Sequence, residues 1–137
     1  MKCHTTNYFN TFIIVADDCP ATKGEIPPGT GLKDTVAGIQ YDLISKNPYR
    51  FTSDEVLLRV YMKRNSIGDE NHAGAKELFF SKGQACFRSS PLTKRYGWGI
   101  HFNDEGKMAL YGSETEPYGK LAGDPNLTAL KALRSKK

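Results

Sequence analysis

"GWGIHFNDEGKMALYG", Gly97 to Gly112, is the stretch from which the rest of the chain can be read. Trp98, Ile100 and Phe102 recur at every second position, and Met108 and Leu110 repeat the pattern after "NDEGK". Alternation of this period is the signature of two strands, each with one buried face. A three-residue loop of Asp104, Glu105 and Gly106 places Gly106 in the left-handed conformation that follows a type I turn. That register pairs Phe102 with Met108 and Ile100 with Leu110, and gathers all four on one face with Trp98. A four-residue loop would pair Phe102 with Lys107 and lose the match, because a slip of one residue sends every side chain to the other face. The opposite face then carries Gly97, Gly99, His101, Ala109 and Tyr111.

Working outward, "YFNTFIIVA", Tyr8 to Ala16, is aromatic and β-branched and predicts a strand. It is nearly continuous in apolar residues after Thr11, which puts it in the middle of the sheet with both faces covered. "ATKGEIPPGTGLKD" is a loop by its glycines and prolines. A helix is expected over 33–46, where Leu32, Val36, Ile39 and Leu43 draw one apolar stripe; Pro48 stops it. A second helix starts at Thr52, with Thr52 and Glu55 forming a capping box. A third spans Ala73 to Ser81, closed by Gly83. Asp124-Pro125 resembles an N-cap followed by a first-turn proline. Leu127, Leu130 and Leu133 fit a short helix there, although the same stretch also suits an edge strand. The expected class is α+β: a small, mostly antiparallel sheet with helices packed on one side, in one globular domain over 1–137.

Composition excludes several function classes. A chain of 137 residues can bury one core without a metal or disulfide staple. No apolar run approaches the roughly 20 residues of a membrane-spanning helix, and "MKCHTTNYFN" lacks the apolar stretch of a secretory leader. A cytoplasmic location is the expectation. The odd cysteine count, Cys3, Cys19 and Cys86, agrees with free thiols in a reducing compartment. A net charge of +4 permits an anionic partner without requiring one.

Three candidate chemistries remain. In the first, "KRYGWGI" partly resembles the cold-shock RNA-binding motif, but Arg95 replaces a glycine and Gly99 intrudes before Ile100, which turns Trp98 to the wrong face. Lys82, Arg88, Lys94 and Arg95 lie in an acid-free stretch, and Lys131, Arg134, Lys136 and Lys137 add charge at the C-terminus. Basic residues with aromatics suit single-stranded nucleic acid; the plainer reading is solvated surface charge with the aromatics in the core. In the second, His101 and Tyr111 share the hairpin's outer face with two glycines that leave backbone bare for a ligand or another element. Lys94, Arg95 and Tyr96 would bind a small anionic ligand, and His101 and Tyr111 would share protons. The plainer reading is a histidine satisfied on the sheet surface. In the third, "QACFR" is similar to the caspase nucleophile signature but departs from it at Phe87 and Arg88, with no histidine about 50 residues upstream. Cys86 is then a thiol between Lys82 and Arg88, or a small buried hydrophobe; it joins the catalytic set if the fold brings it near His101. No dinucleotide, phosphate-loop or metal-ligand spacing is complete, so no cofactor and no metal are expected.

Two longer stretches, "HTTNYFNTFIIVADDCP" (4–20) and "FSKGQACFRSSPLTKRYGWGIHFNDEGKMALYG" (80–112), carry a resemblance covering nearly the whole chain. The chain resembles a family of small uncharacterised proteins, mostly bacterial, catalogued as a domain of unknown function. The resemblance implies a stand-alone cytoplasmic protein and brings no activity or catalytic residue. The leading expectation is therefore a small-ligand-binding protein or enzyme with its pocket beside the 98–111 hairpin. There Lys94, Arg95 and Tyr96 bind the ligand, and His101, Tyr111 and Cys86 do the chemistry. A nucleic-acid-binding module and a homodimer paired through a sheet edge are the alternatives. No membrane partner is expected.

Overall fold

The computed structural model describes residues 6–27, 35–82 and 86–134. Cys3, the glycines of 29–31, Leu32, Lys33, Gly83, Lys136 and Lys137 lie outside the described residues.

The hairpin takes the register that its alternation requires. Strands β2 (Trp98–Phe102) and β3 (Met108–Gly112) pair antiparallel, with Phe102 opposite Met108 and Ile100 opposite Leu110. Gly106 has φ of 78°, a conformation that costs glycine nothing and most residues a good deal. Asn103 completes the turn: its Oδ1 accepts the N–H groups of Glu105 and Lys107, both at 2.9 Å.

β1 (Thr11–Ile14) lies antiparallel to β2, with Ile13 opposite Ile100, and so occupies the central position its composition predicts. Its other edge is taken by β4 (Thr128–Lys131), which runs parallel to it and closes the order β3-β2-β1-β4. Of the two readings the sequence leaves open for the 127–133 stretch, the edge strand is the one formed, over Thr128–Lys131, and the helix is not. β1 would otherwise leave a row of backbone groups without partners. The Thr128 N–H donates to Asn10 O at 2.9 Å and the Ala132 N–H to Ile14 O at 2.8 Å, satisfying that row. Asp124 caps no helix; its Oδ1 accepts the Asn126 N–H at 2.8 Å and turns the chain toward β4.

The helices follow from their caps. α1 (Val36–Ser45) starts at Thr35, whose side chain accepts the Gly38 N–H, and Pro48 follows its end. α2 (Ser53–Arg64) carries the full capping box of Thr52 and Glu55. α3 is His72–Phe80. Two short helices have no long periodic stripe and go unread in the sequence: α4 (Pro91–Lys94), with Ser90 as cap and proline at the start, and α5 (Glu116–Ala122), capped by Thr115. The described residues thus form an α+β fold of five helices on a mixed, mostly antiparallel sheet.

α1, α2 and α4 cover the face formed by Ile13, Ile100, Phe102 and Met108, contributing Ile39, Ile44, Val56, Val60 and Leu92 to one core. α3 packs on α2 through Leu58, Met62, Ala75 and Phe80 in a smaller core. α5 leans over the opposite face, where Tyr118 meets Phe12 edge-on at 5.2 Å. Both outer edges of the sheet are partly covered. Along β3, the segment 49–52 pairs with Met108 and Lys107. Along β4, Arg88 Nε donates to Lys131 O and Arg88 O accepts the Leu133 N–H, both at 2.8 Å. A second copy approaching β4 therefore meets a guanidinium and an occupied carbonyl, a common way to blunt an edge. Among the described residues, no helix is long and apolar enough to cross a membrane.

Candidate functional site

The sheet divides the candidate residues into two groups. On the α5 side stand His101 and Tyr111, brought together through Tyr49. The Tyr49 hydroxyl lies 2.8 Å from Nδ1 of His101 and 2.6 Å from the hydroxyl of Tyr111. The proton order along this chain runs from Tyr111 to His101 or the reverse, according to the imidazole tautomer. Tyr49 reaches the face from the turn after Pro48. It has a left-handed backbone with φ of 59°, and its N–H donates to Met108 O at 2.7 Å. Burial holds the His101 pKa below its ordinary value, against the pull of the Asp124 carboxylate. Burial, and then the Tyr111 hydroxyl, push Tyr49 well above the ordinary tyrosine range. Both shifts favour the neutral forms of His101 and Tyr49, and the hydroxyl of Tyr49 ties the two strands together across the sheet.

The glycines of this face admit protein. A methyl group on Gly99 would lie 2.5 Å from Cζ of Phe12 and 2.6 Å from Cε2 of Tyr118. At Gly97, where φ is 76°, it would run into the Lys23 carbonyl. Of the two tenants the sequence allows, a ligand or another element, the bare backbone here holds the second. Lys94, Arg95 and Tyr96 lie before β2, at the opposite end of that strand from His101. There the Tyr96 carbonyl accepts the Glu25 N–H at 2.8 Å, and Arg95 is exposed.

Cys86 belongs to the other side. Its Sγ accepts a hydrogen bond from the Tyr8 hydroxyl at 3.0 Å, and the Tyr8 ring packs on Phe102, whose side chain faces the helices. Burial, and then the Cys86 thiol, push the Tyr8 pKa up to about 12. The sheet therefore stands between Cys86 and His101, and no thiol–imidazole pair forms.

Cys86 opens instead into a cleft of about 490 Å³ between α1, α2 and the 3₁₀ turn Phe87–Ser89. One stripe of α1, Val36 and Gln40, forms one wall, and one stripe of α2, Leu57, Val60 and Arg64, the other; residues three and four apart share a helix face. Gln40 is only 3% exposed. Ser90 Oγ accepts the Leu92 N–H at 3.1 Å, and the Ser90 hydroxyl donates to Gln40 Oε1 at 2.6 Å. That chain fixes the amide. The Gln40 Nε2 donors have no acceptor among the described residues. Arg64, at the exposed C-terminal end of α2, makes no ion pair among the described residues. None of the described residues lining the cleft is acidic. Two grooves beside α3, of about 580 and 550 Å³, differ in this respect: Asp54, Glu55 and Lys76 line one, Asp42, Lys63 and Asp69 the other, and Arg59 and His72 both.

Three of the basic residues have partners. Asp17 pairs with Lys131 at 3.2 Å and Arg134 at 3.3 Å, and Arg88 is engaged along β4. The Lys131 and Arg134 side chains hold the Asp17 carboxyl below its ordinary pKa. Tyr49, Gln40 and Arg64 were not singled out from the sequence. Gln40 alone left a signal there: it is a polar residue at i+4 from Val36 and i−3 from Leu43, on a stripe that is otherwise apolar. Among the described residues, no group of three or more His, Cys, Asp or Glu side chains is placed to hold a metal ion.

The model of a family of unknown function, DUF6157, matches residues 3–137, and the chain belongs to that family. No curated protein and no solved structure matches it.

Proposed function

We propose that the protein binds a small organic ligand in the cleft between α1, α2 and the Phe87–Ser89 turn. The observation that carries this reading is the amide of Gln40: the side chain is nearly buried on the wall of a cavity large enough for a small molecule, and its Nε2 donors have no acceptor among the described residues. Apolar walls with a few convergent polar groups are the usual composition of such sites. The reading moves the ligand away from the 98–111 hairpin, where Phe12 and Tyr118 fill the space beside Gly99. It makes the protein a binder rather than an enzyme. The described residues lining the cleft include no histidine or carboxylate to serve Cys86 as a base, and Tyr8, whose pKa is about 12, is too weak an acid to exchange protons readily near neutrality. A cytoplasmic location is part of the proposal, supported by Cys19 and Cys86, which are free thiols among the described residues.

A fragment screen read by amide chemical shifts tests the location. Hits should move the backbone amides of Gln40, Val60, Arg64 and Cys86. Hits that move Gly99, His101 and Tyr111 instead would return the site to the hairpin face, and the absence of any hit on the cleft would overturn the proposal.

A further inference from the structure

Resting on that reading, we infer that the ligand of the cleft is an amphipathic carboxylate, its chain on the apolar wall of α2 and its carboxylate shared by Gln40 Nε2 and the Arg64 guanidinium. The cleft offers donors and a cation but no acid among its described lining residues, so it complements a group that only accepts hydrogen bonds and carries negative charge. An ionised carboxylate is that group. An amine would meet Arg64 with like charge, and an alcohol would leave the guanidinium without a counter-ion. The Ser90 hydroxyl on the wall of the cleft donates to Gln40 Oε1, so the Nε2 donors are in place before anything binds. Arg64 makes no ion pair among the described residues. It is free to form a forked, charge-assisted contact that lysine would not reproduce. Leu57 and Arg64 lie seven residues apart on one helix, roughly 10 Å along the axis at about 1.5 Å per residue. A medium-length acyl chain fits beside them, with its charged end at Arg64.

The thiol of Cys86 opens into the same cleft and reports on its occupancy. Iodoacetamide alkylation of Cys86 is followed on the tryptic peptide 83–88, which carries no other cysteine, in the presence of octanoate, octylamine or octanol. Octanoate should slow alkylation about tenfold at a concentration about ten times its dissociation constant, since only free protein reacts. It should also shift the side-chain amide signals of Gln40, a readout that does not depend on the reactivity of the thiol. Octylamine and octanol should do neither at the same concentration. Arg64→Gln, a change at an exposed position, should abolish the advantage of octanoate while Cys19 alkylation stays constant. Equal protection by octanol or octylamine would overturn the carboxylate and leave the cleft standing. If no probe acts but fragments still move the cleft amides, the carboxylate fails alone. If neither acts, the cleft falls with it.

Discussion

Replacing Gly99 with alanine asks whether the α5 side of the sheet is filled by the protein itself. The added methyl group would lie 2.5 Å from Cζ of Phe12 and 2.6 Å from Cε2 of Tyr118, whereas carbon atoms prefer about 3.5–4.0 Å. Each ring has to retreat by about 1 Å. Phe12 has nowhere to go, since it is fully buried in the central strand. Tyr118 is held at its far end, where its hydroxyl accepts the Val15 N–H at 3.1 Å. Moving it costs about 1–3 kcal/mol of overpacking and a hydrogen bond of about 0.5–1.5 kcal/mol. The variant should therefore lose about 2–4 kcal/mol. The lower figure holds where α5, which has no fully buried residue of its own, swings outward as a unit. Urea unfolding followed by the fluorescence of Trp98, the only tryptophan, measures the loss as a lower midpoint at unchanged slope. In a Tyr118→Ala background the same substitution should cost less, because one of the two rings is gone. A Gly99→Ala protein within about 0.5 kcal/mol of the parent would refute the reasoning. The space beside His101 would then be open, and the hairpin would regain its claim as a binding face.

Further outcomes follow from the same geometry. Tyr49→Phe removes the hydroxyl that joins His101 to Tyr111 and should cost about 1–3 kcal/mol in the same unfolding assay, as two part-buried groups lose a partner. Burial lowers the His101 pKa in the folded state, so the unfolded chain takes up a proton that the folded chain refuses. The stability tied to this group is complete above the unfolded value, about 6.5, and is lost as pH falls through the lower folded value. Unfolding midpoints should accordingly drop on acidification from about pH 7 to about pH 5, and His101→Gln should flatten that part of the curve. Arg88→Ala uncovers the Lys131 carbonyl, and light scattering should then show a mass that rises with concentration as β4 edges pair.

What could be read from the sequence was what is encoded locally. The hairpin register, the left-handed Gly106 and the Thr52–Glu55 capping box each depend on residues within a few positions of one another, and each appears as the sequence predicts. The 127–133 stretch did not read uniquely because its leucine spacing suits a helix, and the deciding fact is an unpaired edge of β1 more than a hundred residues earlier. Tertiary hydrogen bonding outweighs a short periodic signal. α4 and α5 went unread because 4 and 7 residues are too few to show a period. At the candidate site, His101 and Tyr111 were found because both stand on one strand pair. Tyr49, which joins them, sits in a turn with no periodic mark.

The cleft shows why a candidate site can escape a reading that finds the fold. A histidine close to two glycines draws attention through its type, but on the sheet burial favours the neutral form of His101, which is tied to Tyr49 and flanked by filled space. Gln40 draws none, and its interest lies in a bond it does not make. That absence exists only because Ser90, fifty positions away, claims the amide oxygen and turns the two N–H bonds toward the cleft. Ser90 stands there because it caps α4, where its oxygen also accepts the Leu92 N–H. A helix of four residues thus determines the polarity of a wall built by two longer ones. Among the described residues, His101 and Tyr111 on the hairpin are joined by Tyr49, whereas the Gln40 Nε2 donors on the helical side of the sheet bond no other residue and leave hydrogen-bonding capacity for a ligand.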